Sequence, residues 1–191
     1  MRLRLGIVAL LLPASLYGQQ PTSPPASANP ITDTFNSFGY YGSWLRAAFD
    51  SIPESKYAYK PTPVQQSVGF IAQHLETANY GLCEILGNTK HATTAADSLA
   101  DTVKATWPKD TLVARLTASL VFCRDQLVNL TDAKLAEEIT VRVPGNPERR
   151  TPRVRYVILL ITDLAEHYAQ VASYMRQLGM VPPSALRRPG S

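Results

Sequence analysis

Seven apolar residues, Val64, Val68, Ile71, Leu75, Ala78, Leu82 and Ile85, follow one another at alternating spacings of four and three. An α-helix gathers such a repeat onto one face, whereas a strand would scatter it over both. This stretch therefore has to be an amphipathic helix, and it needs other elements to cover its apolar stripe. Thr62-Pro63-Val64-Gln65 offers a cap, a first-turn proline and a capping-box glutamine as its start, and Gly87-Asn88 offers its stop.

Three further long segments carry the same periodicity. One runs from about Asp33 to Ile52, with Phe38, Leu45, Phe49 and Ile52 on one side and Pro53 closing it. Another spans about Asp110 to Leu130. The last runs from Thr151-Pro152 to Gly179, with a stripe of Val157, Ile161, Leu164, Tyr168, Val171, Met175 and Leu178. No run of alternating residues competes with them, so the predicted class is all-α. A short helix is expected around Asp97 to Val103. The long connection between helices 3 and 4 is expected to hold a helical turn at Asp132–Glu138, an extended piece at Ile139–Val143 and a turn at Pro144-Gly145-Asn146-Pro147.

The N-terminus has a different character. Arg2 and Arg4 precede an apolar run from Leu5 to Leu12, broken at Pro13 and followed by small residues. That is the pattern of a secretory signal peptide over residues 1–18, cleaved near Gly18, with the product periplasmic or secreted. The run is too short for stable membrane insertion. Residues 19–30, rich in Gln, Pro, Ser, Thr and Ala, are expected to form a flexible leader, residues 31–183 the folded domain and residues 184–191 a flexible tail.

Two of the positive charges in the formal net of +4 are Arg2 and Arg4, so the exported product is close to neutral and no nucleic-acid partner is expected. Arg149, Arg150, Arg153 and Arg155 form the densest basic cluster, at the predicted start of the last helix, and read as a solvated surface. An oxidising compartment would let Cys83 and Cys123 bond across neighbouring helices. The alternative is two small buried thiols, since Cys123 shares a stripe with Leu116, Leu120 and Leu127.

Only three histidines are present. His91 lies in a polar loop and is expected to be exposed. His74 and His167 lie near the middles of the second and fourth long helices, beside their apolar stripes, and Asp163 precedes His167 by four residues, which stacks the two side chains. Two imidazoles and a carboxylate can hold a divalent metal (Zn, Ni or Fe) with positions left open for water or substrate. The alternative is that Asp163 merely holds His167 in one tautomer. Glu166 points about a third of a turn away. There is no G-x-S-x-G elbow, no H-E-x-x-H and no phosphate-binding glycine loop, and the cysteine spacing excludes a thiolate zinc site.

Two stretches carry a family resemblance. The first is Ile52-Pro53-Glu54-Ser55-Lys56-Tyr57, then Tyr59-Lys60-Pro61-Thr62-Pro63, Phe70 to His74 and Ala78-Asn79-Tyr80. The second is Glu166-His167-Tyr168-Ala169-Gln170, followed by Tyr174, Met175, Arg176 and Gly179 to Pro183. Together they resemble the DinB-like superfamily. The resemblance implies a four-helix bundle with a metal held by one residue of the second helix and two of the last, here His74, Asp163 and His167. Histidine is usual in the family where Asp163 stands. Characterised relatives include thiol-dependent transferases and isomerases that act in the cytosol, a setting that export would remove. The expected function is metal-dependent hydrolysis or transfer on a small molecule. The alternative is a non-catalytic binding or stress-related bundle without metal. Soluble bundles commonly pair, so a homodimer is compatible with this reading.

Overall fold

The structure is a computed structural model that describes residues 27–142, 145 and 147–186. The expected signal peptide, most of the expected leader, residues 143, 144 and 146 of the connection before the last helix and the last five residues lie outside the described residues.

Four long helices build the domain: α2 (Tyr40–Ser51), α3 (Val68–Gly87), α5 (Lys109–Leu127) and α7 (Val154–Gln177). Short helices α1 (Pro30–Ser37), α4 (Asp101–Lys104) and α6 (Asp132–Ala136) and the strands β1 (Glu138–Val141) and β2 (Arg149–Pro152) lie between them. In the bundle α3 packs against α5 and α7, and α2 closes it against the same two helices. Leu45, Phe49, Ile71, Leu75, Leu112, Leu116, Val171 and Met175 meet in a single core. No helix among the described residues is long and apolar enough to cross a membrane.

The helix predicted to be capped at Thr62 is capped five residues later, at Ser67, and Val64 is exposed. Thr62 and Gln65 spend their polar groups on each other: the Gln65 N–H donates to the Thr62 carbonyl at 3.2 Å and the Thr62 hydroxyl donates to Gln65 Oε1 at 3.0 Å. The cap is Ser67, whose Oγ accepts from the Phe70 N–H. The preceding loop folds over this helix end, so that the Val68 and Gly69 N–H groups donate to the carbonyls of Tyr59 and Tyr57 at 3.1 and 2.8 Å. A tertiary solution thus satisfies donors that every helix start leaves unpaired. At the far end Asn88, at φ 52°, takes the left-handed cap, as its sequence predicts.

The first predicted helix is two. It breaks at Phe38-Gly39, and Phe38 is exposed, not part of the core face. At the break the Phe38 and Gly39 N–H groups bond three residues back, to the Phe35 and Asn36 carbonyls at 3.0 and 3.1 Å, and the start of α1 is capped separately from across the chain. Asp132 Oδ2 accepts the Ile31 N–H, Asp132 Oδ1 accepts the Thr32 N–H and hydroxyl, and the Asp132 N–H donates to Asn29 Oδ1. This reciprocal cap holds α1 against α6, and it draws Asn29 and Pro30, which composition places in the leader, into the fold. The short helix expected at Asp97–Val103 is likewise divided, into a 3₁₀ turn at Ala95–Ser98 and α4.

Thr151 and Pro152 belong to a strand and not to the start of a helix. β1 and β2 pair antiparallel, Glu138 opposite Pro152 and Val141 opposite Arg149. The basic cluster is therefore divided as well. Arg150 pairs with Glu138 at 2.8 Å. Arg153 reaches the carbonyls of Ile85 and Leu86 at 3.2 and 2.7 Å, completing the C-terminus of α3, and also pairs with Glu137 at 3.2 Å. Cys83 and Cys123 are joined by a disulfide between α3 and α5, with Cα atoms 5.1 Å apart. One turn away, buried Asn79 donates to Ser119 Oγ across the same interface.

Candidate metal centre

The interface of α3 and α7 brings three predicted residues together. His74 stands between buried Gln73 and Leu75, so the stripe that buries its neighbours places its ring at the edge of the interface, 37% exposed. Asp163 and His167, one turn apart on α7, face it and are more enclosed. His74 Nε2 lies 3.9 Å and His167 Nε2 3.6 Å from the same oxygen, Asp163 Oδ1. The imidazoles meet edge to face with centroids 4.9 Å apart. One donor atom from each of the three residues falls within 4.8 Å of the other two, and this is the group of that kind found among the described residues.

The donor set fits a divalent metal. Bonds of 2.0–2.2 Å in tetrahedral geometry keep donors roughly 3.3–3.6 Å apart, so the His167–Asp163 spacing of 3.6 Å already suits an ion, and His74 stands wider, 3.9 Å from Asp163 Oδ1 in a group whose donors span up to 4.8 Å. Asp163 Oδ2 is buried and has no hydrogen-bond partner. A carboxylate enclosed beside two imidazole nitrogens and lacking donors of its own is an incomplete arrangement until a cation joins it. Asp163 also acts on the His74 imidazole, raising its pKa above the ordinary histidine value against the opposing effect of burial.

His167 has a further partner, Gln170, whose Oε1 lies 3.1 Å from its Nδ1. Gln170 Nε2 donates to the Tyr174 hydroxyl at 3.0 Å, and that hydroxyl donates to the Gln66 carbonyl at 3.1 Å. The sequence signals for Gln170 and Tyr174 were their places three and seven residues after His167 on one helical face. Gln66 carries no such signal, because its position depends on the turn ahead of α3.

Glu166 is exposed and is not part of the cluster, although its charge adds a lesser upward push on His74. His91 differs from the expectation of an exposed loop residue. Its side chain is only 17% exposed, its ring stacks on Tyr80 at 3.9 Å and its Nδ1 lies 2.6 Å from Glu84 Oε1. It pins the loop after α3 and stands apart from the His74 cluster. A separate apolar groove of 510 Å³, lined by Phe35, Leu120, Val157 and Leu160 among others, opens between the α1–α2 junction, α5 and α7, and does not include the three metal-type residues.

These features belong to a known class of helical protein. The DinB superfamily matches the sequence over residues 43–171, a span that contains all three residues, and the chain belongs to that superfamily. Among solved structures it is similar to a DinB-like protein from Bacillus cereus ATCC 10987, at 19% identity and a TM-score of 0.60, over 80% of this chain and 95% of that one. It is also similar to a conserved protein from Enterococcus faecalis, at 15% identity and a TM-score of 0.58, over 78% and 96% of the two chains. At these identities the likeness is one of fold. No curated protein matches the chain.

Proposed function

We propose that this chain is an exported metal-binding protein of the DinB superfamily, in which His74, Asp163 and His167 hold one divalent ion of zinc, nickel or iron and act on a small molecule by hydrolysis or group transfer. The observation that carries the reading is the convergence of two imidazole nitrogens on Asp163 Oδ1 while Asp163 Oδ2 stays buried without a partner. The ion would supply Lewis acidity at a place where three protein donors leave coordination positions free. The partial exposure of His74 gives that place access to solvent, and α7 holds the other two donors rigidly. Export is supported by the charged, apolar and small-residue order of the first eighteen residues, and by a disulfide of the kind that persists in oxidising compartments.

The test is thermal unfolding of metal-free protein with zinc, nickel or iron(II) added in turn. An ion present at 100 times its dissociation constant stabilises by about 2.7 kcal/mol, which corresponds to a rise in Tm of roughly 5–11 °C for a domain of this size. We expect that rise in the wild type and its loss in His74→Ala. A wild type that none of the three ions stabilises would turn the reading towards a binding module without metal.

A further inference from the structure

We propose that Gln170 and Tyr174 are positioning residues: together with the Gln66 carbonyl they form a directed series of hydrogen bonds that keeps the His167 proton on Nδ1 and leaves its bare Nε2 for the metal position. This deepens the metal reading above and rests on it.

The direction of the relay is fixed at its far end. A backbone carbonyl only accepts, so the single proton of the Tyr174 hydroxyl points to Gln66 O, 3.1 Å away. The hydroxyl oxygen then serves Gln170 as an acceptor, which commits the amide nitrogen of Gln170 to it at 3.0 Å. With that nitrogen committed, Gln170 presents its oxygen to His167 Nδ1 at 3.1 Å, and the ring has to donate. A neutral imidazole carries one proton, so Nε2 is left with a lone pair, and Nε2 is the atom 3.6 Å from Asp163 Oδ1. Without the relay the other tautomer would have the advantage, because the Asp163 carboxylate 3.6 Å away attracts the positive end of an Nε2–H dipole. The relay therefore works against the choice the site would make on its own.

Burial protects the arrangement. Tyr174 is 1% exposed, and the Tyr59 ring packs edge-on against it at 6.0 Å, so water has little access to the middle of the chain of bonds. Residues 167, 170 and 174 share one face of α7, and Gln66 lies in the turn that leads into α3. The relay thus links the helix that carries two donors to the entry of the helix that carries the third. Among the described residues His74 has no comparable partner on its ring, which makes His167 the fixed ligand and His74 the adjustable one.

The experiment uses metal-free, histidine-¹⁵N-labelled full-length protein, with His167 assigned by loss of its signals in His167→Gln. Imidazole ¹⁵N shifts are read at a pH above the histidine range, and zinc affinity is measured separately by competition with a chromophoric chelator. In the wild type His167 is expected to carry its proton on Nδ1. Tyr174→Phe keeps the ring but removes the hydroxyl, and Gln170→Leu removes the acceptor. Each should move the proton towards Nε2 and weaken zinc binding about 10–100-fold. Gln170→Glu keeps an acceptor at Nδ1 and should retain both the tautomer and the affinity. A wild-type His167 protonated at Nε2, or a tautomer unchanged in Tyr174→Phe and Gln170→Leu, would overturn the relay. Failure of the wild type to bind zinc overturns the metal reading instead, and the nitrogen shifts still decide the relay.

Discussion

Asp163 holds the sharpest conflict in the molecule: one oxygen is shared by two imidazoles and the other is buried with nothing to receive. An enclosed polar atom without a partner is unfavourable; Asn79 Oδ1 and Arg153 Nε are unpartnered too, and what sets Asp163 apart is that its atom belongs to a carboxylate beside two imidazoles. Asp163→Ala should therefore uncouple stability from metal binding. Measured in chelator, the variant gains helix propensity of about 0.5 kcal/mol and loses the incomplete carboxylate, so its Tm should rise by roughly 1–3 °C while the metal-induced shift disappears. A drop of several degrees in chelator would show that Asp163 supports the fold. The three candidate residues were legible in the sequence because chemistry and periodicity coincide there: His74 lies beside one stripe, and Asp163 and His167 stack on another. The orphaned oxygen was not legible, because it depends on what the neighbouring helix fails to offer. His91 was misread for a related reason, since its partners Tyr80 and Glu84 come from the preceding helix and a polar loop sequence does not announce them.

At the scale of elements, two glycines of α3 should respond to the same substitution with opposite signs. A Cβ on Gly69 would lie 2.4 Å from the Ala105 carbonyl oxygen, a backbone atom that cannot swing away, whereas a Cβ on Gly81 meets nothing within 4 Å. Gly69→Ala should cost about 1–3 kcal/mol, and Gly81→Ala should gain about 0.5–1 kcal/mol, both read from denaturant midpoints. Equal effects would contradict the docking of the α4–α5 connection on the start of α3. That docking is also electrostatic. Arg115 on α5 joins buried Glu76 of α3, through an Nε–Oε2 bond of 3.0 Å, to Asp97 in the Ala95–Ser98 turn. Burial pushes the Asp97 carboxyl up, but the Thr94 N–H, the Arg115 guanidinium and the Thr94 hydroxyl outweigh it and hold the group at about 2. This folded value lies below the unfolded one of about 3.9, so the stabilisation is complete above the unfolded value and is lost as the pH falls through the folded one. Wild type should exceed Asp97→Asn in Tm at neutral pH, and the gap should close towards pH 2; a gap independent of pH would refute this. The long helices were legible because their stripes repeat over about three turns or more. The start of α3 was not, because Thr62-Pro63-Val64-Gln65 satisfies the rules of a capping box and also those of a free-standing turn, and only the bonds to the Tyr57 and Tyr59 carbonyls decide between them. The hairpin was half seen. β1 shows an extended pattern, but Arg149-Arg150-Thr151-Pro152 has no alternation and becomes a strand by pairing with β1.

Over the whole molecule, the covalent bridge and the metal reading set different requirements. The Cys83–Cys123 bond joins residues 40 apart in sequence, the two helices with the most extensive mutual packing. Closing a loop of that length stabilises by about 3–4 kcal/mol in the chain-entropy account, so reduction should lower Tm by roughly 6–16 °C. An unchanged Tm in reductant would place the bond outside the determinants of stability. The core and the bridge hold the bundle together without drawing on the His74, Asp163 and His167 cluster at the α3–α7 interface. The most direct measurement is the metal content of protein purified without an affinity resin, loaded with zinc and freed of excess. One ion per chain in the wild type, and none in His74→Ala, Asp163→Ala or His167→Ala, is the predicted result. A wild type that retains no ion, or variants that retain as much as the wild type, would contradict the account.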